Sequence, residues 1–235
     1  MIYFCGDTHG DIDVGKIRFL VSKNKISRDD ILIILGDCGV LFYQDKEIYE
    51  QYIKLYESFG LTILYLDGNH ENFPLIHSFP ETTIYGAKAH RISDHIFHIC
   101  RGEILEIEGH TFLCVGGATS IDREYRIEGI SWWREENISE SDMENAFDNL
   151  KRYDNKVDFI LTHCVDTTSV YFGLHFRPDE NTNKLEELEA KASYRCWLCG
   201  HYHCDLFLSS KKAVLYNRIA YLDEDSDILV SFVDD

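Results

Sequence analysis

The chain has 235 residues, 45% of them apolar and only three of them proline, which allows a sizeable core and excludes a proline-rich linker. Its 41 acidic residues against 23 Lys and Arg give a formal charge of −18, which repels polyanions at long range and disfavours non-specific nucleic-acid binding. No apolar run approaches the ~18 residues of a membrane span. The segment Met1–Cys5 runs straight into a glycine-bounded motif with no room for a secretory leader, so a cytoplasmic location with eight reduced cysteines is expected.

In chain order, Ile2–Cys5, Ile31–Leu35 and Thr62–Leu66 are short apolar runs that each end near a glycine, as buried strands do. Asp13 is placed to cap a first helix carrying Ile17, Leu20 and Val21. A second helix, Lys46–Phe59, has Ile48, Tyr49, Tyr52, Ile53, Tyr56 and Phe59 on one stripe, with Gly60 to stop it. Strands alternating with helices predict parallel pairing by right-handed crossovers, with ligands gathered at the strands' carboxyl ends.

The pattern then changes. Ile96–Cys100, Ile104–Ile107 and Phe112–Val115 read as an antiparallel section, with Glu108-Gly109-His110 as a tight hairpin. Residues 117–138 form a long irregular segment of the kind that usually carries function. Ser139-x-x-Asp142 opens a helix with capping-box chemistry, followed by Met143, Ala146, Phe147 and Leu150 at helical spacing. Val157–Leu161, a Glu/Lys-rich helix around Leu185 and Leu188, and Tyr194–Leu198 follow. Leu206–Leu208, Ala213–Tyr216 and Ile228–Phe232 are expected to finish a second sheet, and Asp223, Glu224, Asp225, Asp227, Asp234 and Asp235 to form a solvated acidic rim. The predicted fold is α/β: a single domain over 1–235, a two-sheet β-sandwich of mixed parallel and antiparallel strands flanked by helices.

Five short islands sit at predicted strand ends: Gly6-Asp7-Thr8-His9-Gly10, Gly36-Asp37-Cys38-Gly39, Gly68-Asn69-His70-Glu71, Thr162-His163-Cys164 and Gly200-His201-Tyr202-His203. Each alone is an ordinary turn. Their order and spacing over residues 1–210 resemble the calcineurin-like metallophosphoesterases. Hydrolysis of a phosphate ester needs a nucleophile to approach an anion, and a pair of divalent ions held by carboxylate oxygen and imidazole nitrogen answers that need.

The resemblance implies a dinuclear metal-dependent phosphoesterase, a hydrolase that acts by attack of a metal-bridging hydroxide, with monoesters as the expected substrates of this phosphatase. It implies that Asp7, His9 and His203 bind one metal, that Asp37 bridges both, and that Asn69, His163 and His201 bind the second. The ions expected are Mn, Fe or Zn, with Mn serving in vitro. His70 is implied as the catalytic group beside the leaving group, either as acid or as hydrogen-bond donor. The alternatives are a phosphodiesterase or nuclease acting on nucleotides or nucleic acid, and an inactive binding scaffold of the same fold.

The first and third islands are similar to those of the protein serine/threonine phosphatases. Where those enzymes carry an Asp and an Arg after the bridging Asp, this chain has Val40 and Leu41. Arg123 and Arg126 are therefore the candidate substrate-binding arginines, with surface pairing to Glu124 or Glu128 as the bland alternative. Gly116 through Arg126 with Trp132-Trp133 is similar to a bacterial and phage subgroup of the family. Adjacent tryptophans cannot both face inward on a strand, so one is a candidate cover for the substrate entrance, with core and edge packing as the ordinary alternative. Cys196-x-x-Cys199 followed by His201, His203 and Cys204 has a zinc-knuckle rival reading, weakened by the lack of a second Cys-x-x-Cys pair. Cys38 and Cys164 each follow a candidate ligand and are expected to be sensitive to oxidation.

Overall fold

The computed structural model describes residues 1–223 and 230–232. Two mixed sheets pack face to face with helices on their outer sides. The first has eight strands in the order β14-β13-β1-β2-β3-β6-β5-β4: β1 (Ile2–Cys5), β2 (Ile31–Ile34), β3 (Thr62–Tyr65), β4 (Glu81–Ile84), β5 (Ala87–Arg91), β6 (Ile96–Ile99), β13 (Ala220–Leu222) and β14 (Val230–Phe232). The second has six, in the order β11-β12-β10-β9-β8-β7: β7 (Glu103–Ile107), β8 (His110–Val115), β9 (Phe159–Thr162), β10 (Cys196–Cys199), β11 (Leu206–Phe207) and β12 (Lys212–Val214).

The strands β1, β2, β3 and β6 run parallel, as do β8, β9, β10 and β12. Fully buried four-residue runs such as Ile31–Ile34 fit this, because a parallel strand covered on both faces has no polar side. Helices α1 (Gly15–Lys23) and α2 (Lys46–Glu57) cover the first sheet through Ile17, Leu20 and Tyr56. Helices α4 (Glu140–Arg152) and α5 (Glu180–Lys191) cover the second through Ala146, Leu150, Leu185 and Leu188. Between the sheets lies a third apolar layer that includes Phe4, Leu64, Phe112, Phe159 and Leu198. Phe4 of the first sheet meets Phe112 and Phe159 of the second at ring distances of 6.1 and 6.0 Å, so Phe4→Ala should cost about 3–5 kcal/mol. Among the described residues no helix is long and apolar enough to cross a membrane.

Several expectations need correction. Asp13 caps nothing: the residue preceding α1 is Val14, without a side-chain cap. The short helix α3 (Phe73–His77) and strands β4, β5 and β13 have no periodic signature, because each is only three to five residues long. β6 pairs in parallel with β3, and it is β5 and β4 that add the antiparallel edge. β14 pairs with β13 in the first sheet rather than finishing the second. Positions 228 and 229 of that predicted strand, and Glu224, Asp225, Asp227, Asp234 and Asp235 of the acidic rim, lie outside the described residues. The Ser139–Asp142 capping box forms, and Glu108 and Gly109 turn the β7–β8 hairpin with φ of 51° and 83°.

Candidate metal centre and substrate cleft

The loops leaving β1, β2, β3, β9 and β10 converge at one end of the sandwich. Two glycines are indispensable to this approach. A Cβ on Gly68 would stand 2.1 Å from Asp37 Oδ1 and 2.7 Å from His163 Nε2, and one on Gly36 (φ +90°) would stand 2.2 Å from His163 Nδ1. His9, Asp37, His201 and His203 adopt left-handed backbone conformations with φ of 43°, 48°, 68° and 49°. Side chains rarely occupy that region, at a cost of about 1–3 kcal/mol each, and such strain gathers at functional sites.

The turns bring donor atoms within 4.8 Å of one another in three overlapping groups: Asp7, His9 and His203; Asp7, Asp37 and His163; and His9, Asp37 and His70. Asn69 Oδ1 lies 3.2 Å from His163 Nε2, and the His201 ring lies 4.9 Å from that of His163. Asp37 Oδ2 is 3.4 Å from both His9 Nε2 and His163 Nε2, central to the cluster, while its Oδ1 accepts from the His70 backbone N–H at 2.7 Å.

The far sides of these rings are anchored. His163 Nδ1 is 2.7 Å from the Leu35 carbonyl, and His9 Nδ1 is 2.7 Å from Asp13 Oδ2, the actual task of that carboxylate. Each contact turns Nε2 inward, the arrangement that orients metal-ligating histidines. Asn69 is anchored as well: its Nδ2 donates to Ser120 Oγ at 3.2 Å, which leaves Oδ1 facing the cluster. Ser120 Oγ in turn donates to Glu136 Oε2 at 2.6 Å, and Arg123 closes the chain on Glu136 Oε1 at 2.6 Å. Glu71, wholly buried, accepts from Cys38 N at 2.8 Å and ties the Asp37 turn to the Asn69 turn. Burial, with Asp37 and Asp67 nearby, pushes its carboxyl well above the usual range. Asp13 was within reach of sequence reasoning, four residues from His9, but nothing in the sequence signals Ser120 or Glu136.

The electrostatics fit a site built for cations. Among the described residues the ionic partners of Asp7 and Asp37 are histidines only. Burial raises Asp7 to about 6 despite His163. His163 rises to about 9, because Asp37 and Asp7 outweigh the burial that would lower it. Burial, followed by His163, lowers His201 to about 3, leaving a neutral ring able to donate a lone pair. Two buried carboxylates facing imidazoles and an amide oxygen match the hard oxygen and borderline nitrogen donors that Mn, Fe and Zn accept. In a separate acidic group of Asp166, Glu186 and Glu189, two members are taken by Lys212, whose Nζ lies 2.7 Å from Asp166 and 2.6 Å from Glu189.

The cleft above has a volume of about 590 Å³, and its lining includes Asp37, Asn69, His70, Ile121, Phe176, Arg177 and Tyr202. Arg126 reaches its edge, with Nη2 3.5 Å from His70 Nε2, and is held by Asp122 at 2.6 Å and the Ser131 carbonyl at 3.0 Å. Arg123 is elsewhere. Its guanidinium is engaged by Glu136 and Asn137 and covers the Trp132 ring, so it supports Asn69 rather than facing substrate. Neither arginine pairs with Glu124 or Glu128; Glu128 takes Arg134. Trp133 is buried against Phe42, whose ring also meets His70, while Trp132 is half-buried under Arg123. Val40 and Leu41 are fully buried, so the turn after Asp37 joins the core instead of supplying polar groups. Cys199 is buried on β10 beside the Ala213 carbonyl, and the thiols of Cys196 and Cys199 are raised by burial, which is packing rather than a zinc knuckle.

The family model described as calcineurin-like phosphoesterase matches residues 1–205, and the chain belongs to that family. A solved structure of similar fold is the protein TT1561 of Thermus thermophilus, with a TM-score of 0.52 and 12% identity over 99% of this chain and 97% of that one. No curated sequence matches the chain at a significant level.

Proposed function

We propose that the protein is a dinuclear metal-dependent phosphatase acting on phosphate monoesters. The observation that carries this is the pair of buried carboxylates, Asp7 and Asp37, enclosed by histidines with no Lys or Arg as ionic partner among the described residues. Asp7, His9 and His203 would hold one ion, Asn69, His163 and His201 the other, and Asp37 would touch both. When bound, two such ions neutralise phosphate oxygens and generate a nucleophile from water near neutral pH.

The chain's own residues do the rest. His70, tied to Asp37 through its backbone N–H, is kept neutral by burial, with Asp37 opposing and Arg126 assisting, and stands where it can donate to a phosphoryl or leaving-group oxygen. Arg126, fixed by Asp122, offers the charge-assisted donor that the buried Leu41 cannot. Monoesters are favoured over nucleic-acid diesters by the charge of −18, which repels a polyanion at long range.

Protein loaded with Mn²⁺ should contain two ions per chain by elemental analysis and should hydrolyse p-nitrophenyl phosphate faster than bis(p-nitrophenyl) phosphate. Substoichiometric metal with no turnover would end the proposal, and faster diester cleavage would replace its substrate class.

A further inference from the structure

The outer wall of the cleft carries chemistry that phosphate transfer does not use. Residues Ser169–Leu174 form a π-helix, a rare geometry frequent at functional sites. His175 then turns the chain through a left-handed conformation, φ 60°, and the Phe176 N–H is pinned to the Val170 carbonyl at 3.1 Å. The outcome is a Phe176 ring stacked on Tyr202 at 5.9 Å and 14°, with 55% of the residue still exposed. Tyr202 meets His201 edge-on at 4.9 Å, and His201 meets His163 at 4.9 Å, so an unbroken series of rings leads from the metal centre to the rim.

Ile121 lines the same cleft and is 96% exposed. Arg177 follows Phe176 into the lining and has no hydrogen-bond or ion-pair partner among the described residues. A phosphate group alone would not require this wall, and 590 Å³ lies within the roughly 300–1,000 Å³ of clefts that enclose an organic ligand.

We infer that Phe176, Tyr202, Ile121 and Arg177 form a subsite for a planar ring carried by the phosphate ester, with the ring on Phe176 and hydrogen-bond acceptors on its edge facing Arg177. The inference rests on the monoester reading of the metal centre. Ring recognition could serve a nucleoside monophosphate or an aryl phosphate; a free guanidinium at the ring's edge is useful only to the first, since a phenyl ring has no acceptors.

Three esters separate the cases: adenosine 5′-monophosphate, phenyl phosphate and glycerol 3-phosphate. The first and last share an alkyl leaving oxygen, so their difference reports the ring and not leaving-group chemistry. In the Mn²⁺-loaded protein, Phe176→Ala should lower kcat/KM about tenfold for the two ring-bearing esters, the scale of one base–aromatic stack, and less than about twofold for glycerol 3-phosphate. Arg177→Gln should affect only the nucleotide; an equal loss on phenyl phosphate, whose ring has no acceptor, would overturn the ring-edge role of Arg177. Equal losses on all three esters, or no loss on any, would overturn the subsite.

Calorimetric binding of the same esters gives a readout independent of turnover. Wild type should bind adenosine monophosphate about tenfold tighter than glycerol 3-phosphate, and Phe176→Ala should erase the difference. A protein that turns over none of the esters yet shows this binding difference would refute the phosphatase and retain the subsite; equal binding would refute the subsite whatever the activity.

Discussion

The floor of the cleft is made by side chains one to five residues beyond the ends of five parallel strands, whereas its walls come from two long stretches, 117–138 and 165–179, with no β-ladder of their own. The floor is short-range and over-determined: each turn is fixed by a buried strand, a close backbone approach or an anchored ring. The walls depend on isolated long-range contacts such as Arg123–Glu136 and Phe176–Tyr202. A floor of this kind tolerates almost no substitution, while the walls can vary and so adapt one centre to different esters.

The comparison is broken most directly at Asp37. Asp37→Asn should lose bound metal and reduce turnover at least about a thousandfold, as elemental analysis alongside the p-nitrophenyl phosphate assay would show; chelator applied to wild type should match it. Full activity in either case would mean that the floor is not a metal centre. His70→Ala should keep both ions and lose about 10²–10⁴ in kcat, the range for one positioned proton donor.

The two arginines of the wall sharpen the contrast. Arg126→Ala should cost about 10–100-fold in kcat/KM with little change in melting temperature, as one charge-assisted contact to phosphate predicts. Arg123→Ala should instead destabilise the fold by about 2 kcal/mol, measured by urea denaturation, because Glu136 is left buried without its partner while the half-exposed guanidinium was partly screened. If the two variants behave alike, the division of labour between them is wrong.

A smaller effect concerns His90 of β5, packed against its cross-strand partner His98 of β6 with Nδ1 atoms 3.2 Å apart. Burial, then His98 and His77, lowers it to about 4. The unfolded chain therefore takes up a proton below the ordinary value of about 6.5 that the folded chain refuses, and stability should fall as pH drops from there towards 4. His90→Gln should flatten that slope by on the order of 1–2 kcal/mol. The smallest effect belongs to Cys38. Its thiol is wholly buried and is raised well above the usual range by burial and Glu71, so Cys38→Ser and wild type should lose activity to peroxide at the same rate, contrary to what its place beside Asp37 suggests.

How much of this was legible in the sequence follows the same division. Ile2–Cys5, Ile31–Leu35 and Thr62–Leu66 stand within a residue of the strands that form, because a strand buried on both faces writes an unbroken apolar run. The glycine-bounded islands marked which side chains the structure brings together, since close backbone approach demands glycine locally. Strands β4, β5 and β13 carried no such mark: Glu81–Ile84 is an exposed edge, stabilised by its neighbours rather than by its own composition. The wall was the least legible. Arg123 and Arg126 look equivalent in sequence and differ only through Glu136 and Asp122, and Phe176 lies in a stretch whose π-helix no periodicity announces.

The antiparallel pairing of β13 with β1 has a practical consequence. The family match stops at residue 205, yet Ala220 and Tyr221 lie against Phe4 and Tyr3. A fragment trimmed at that boundary would leave the apolar rim of Ile2–Cys5 unpaired, a template for intermolecular strand addition. Such a truncated protein should precipitate on expression even though every proposed ligand is retained.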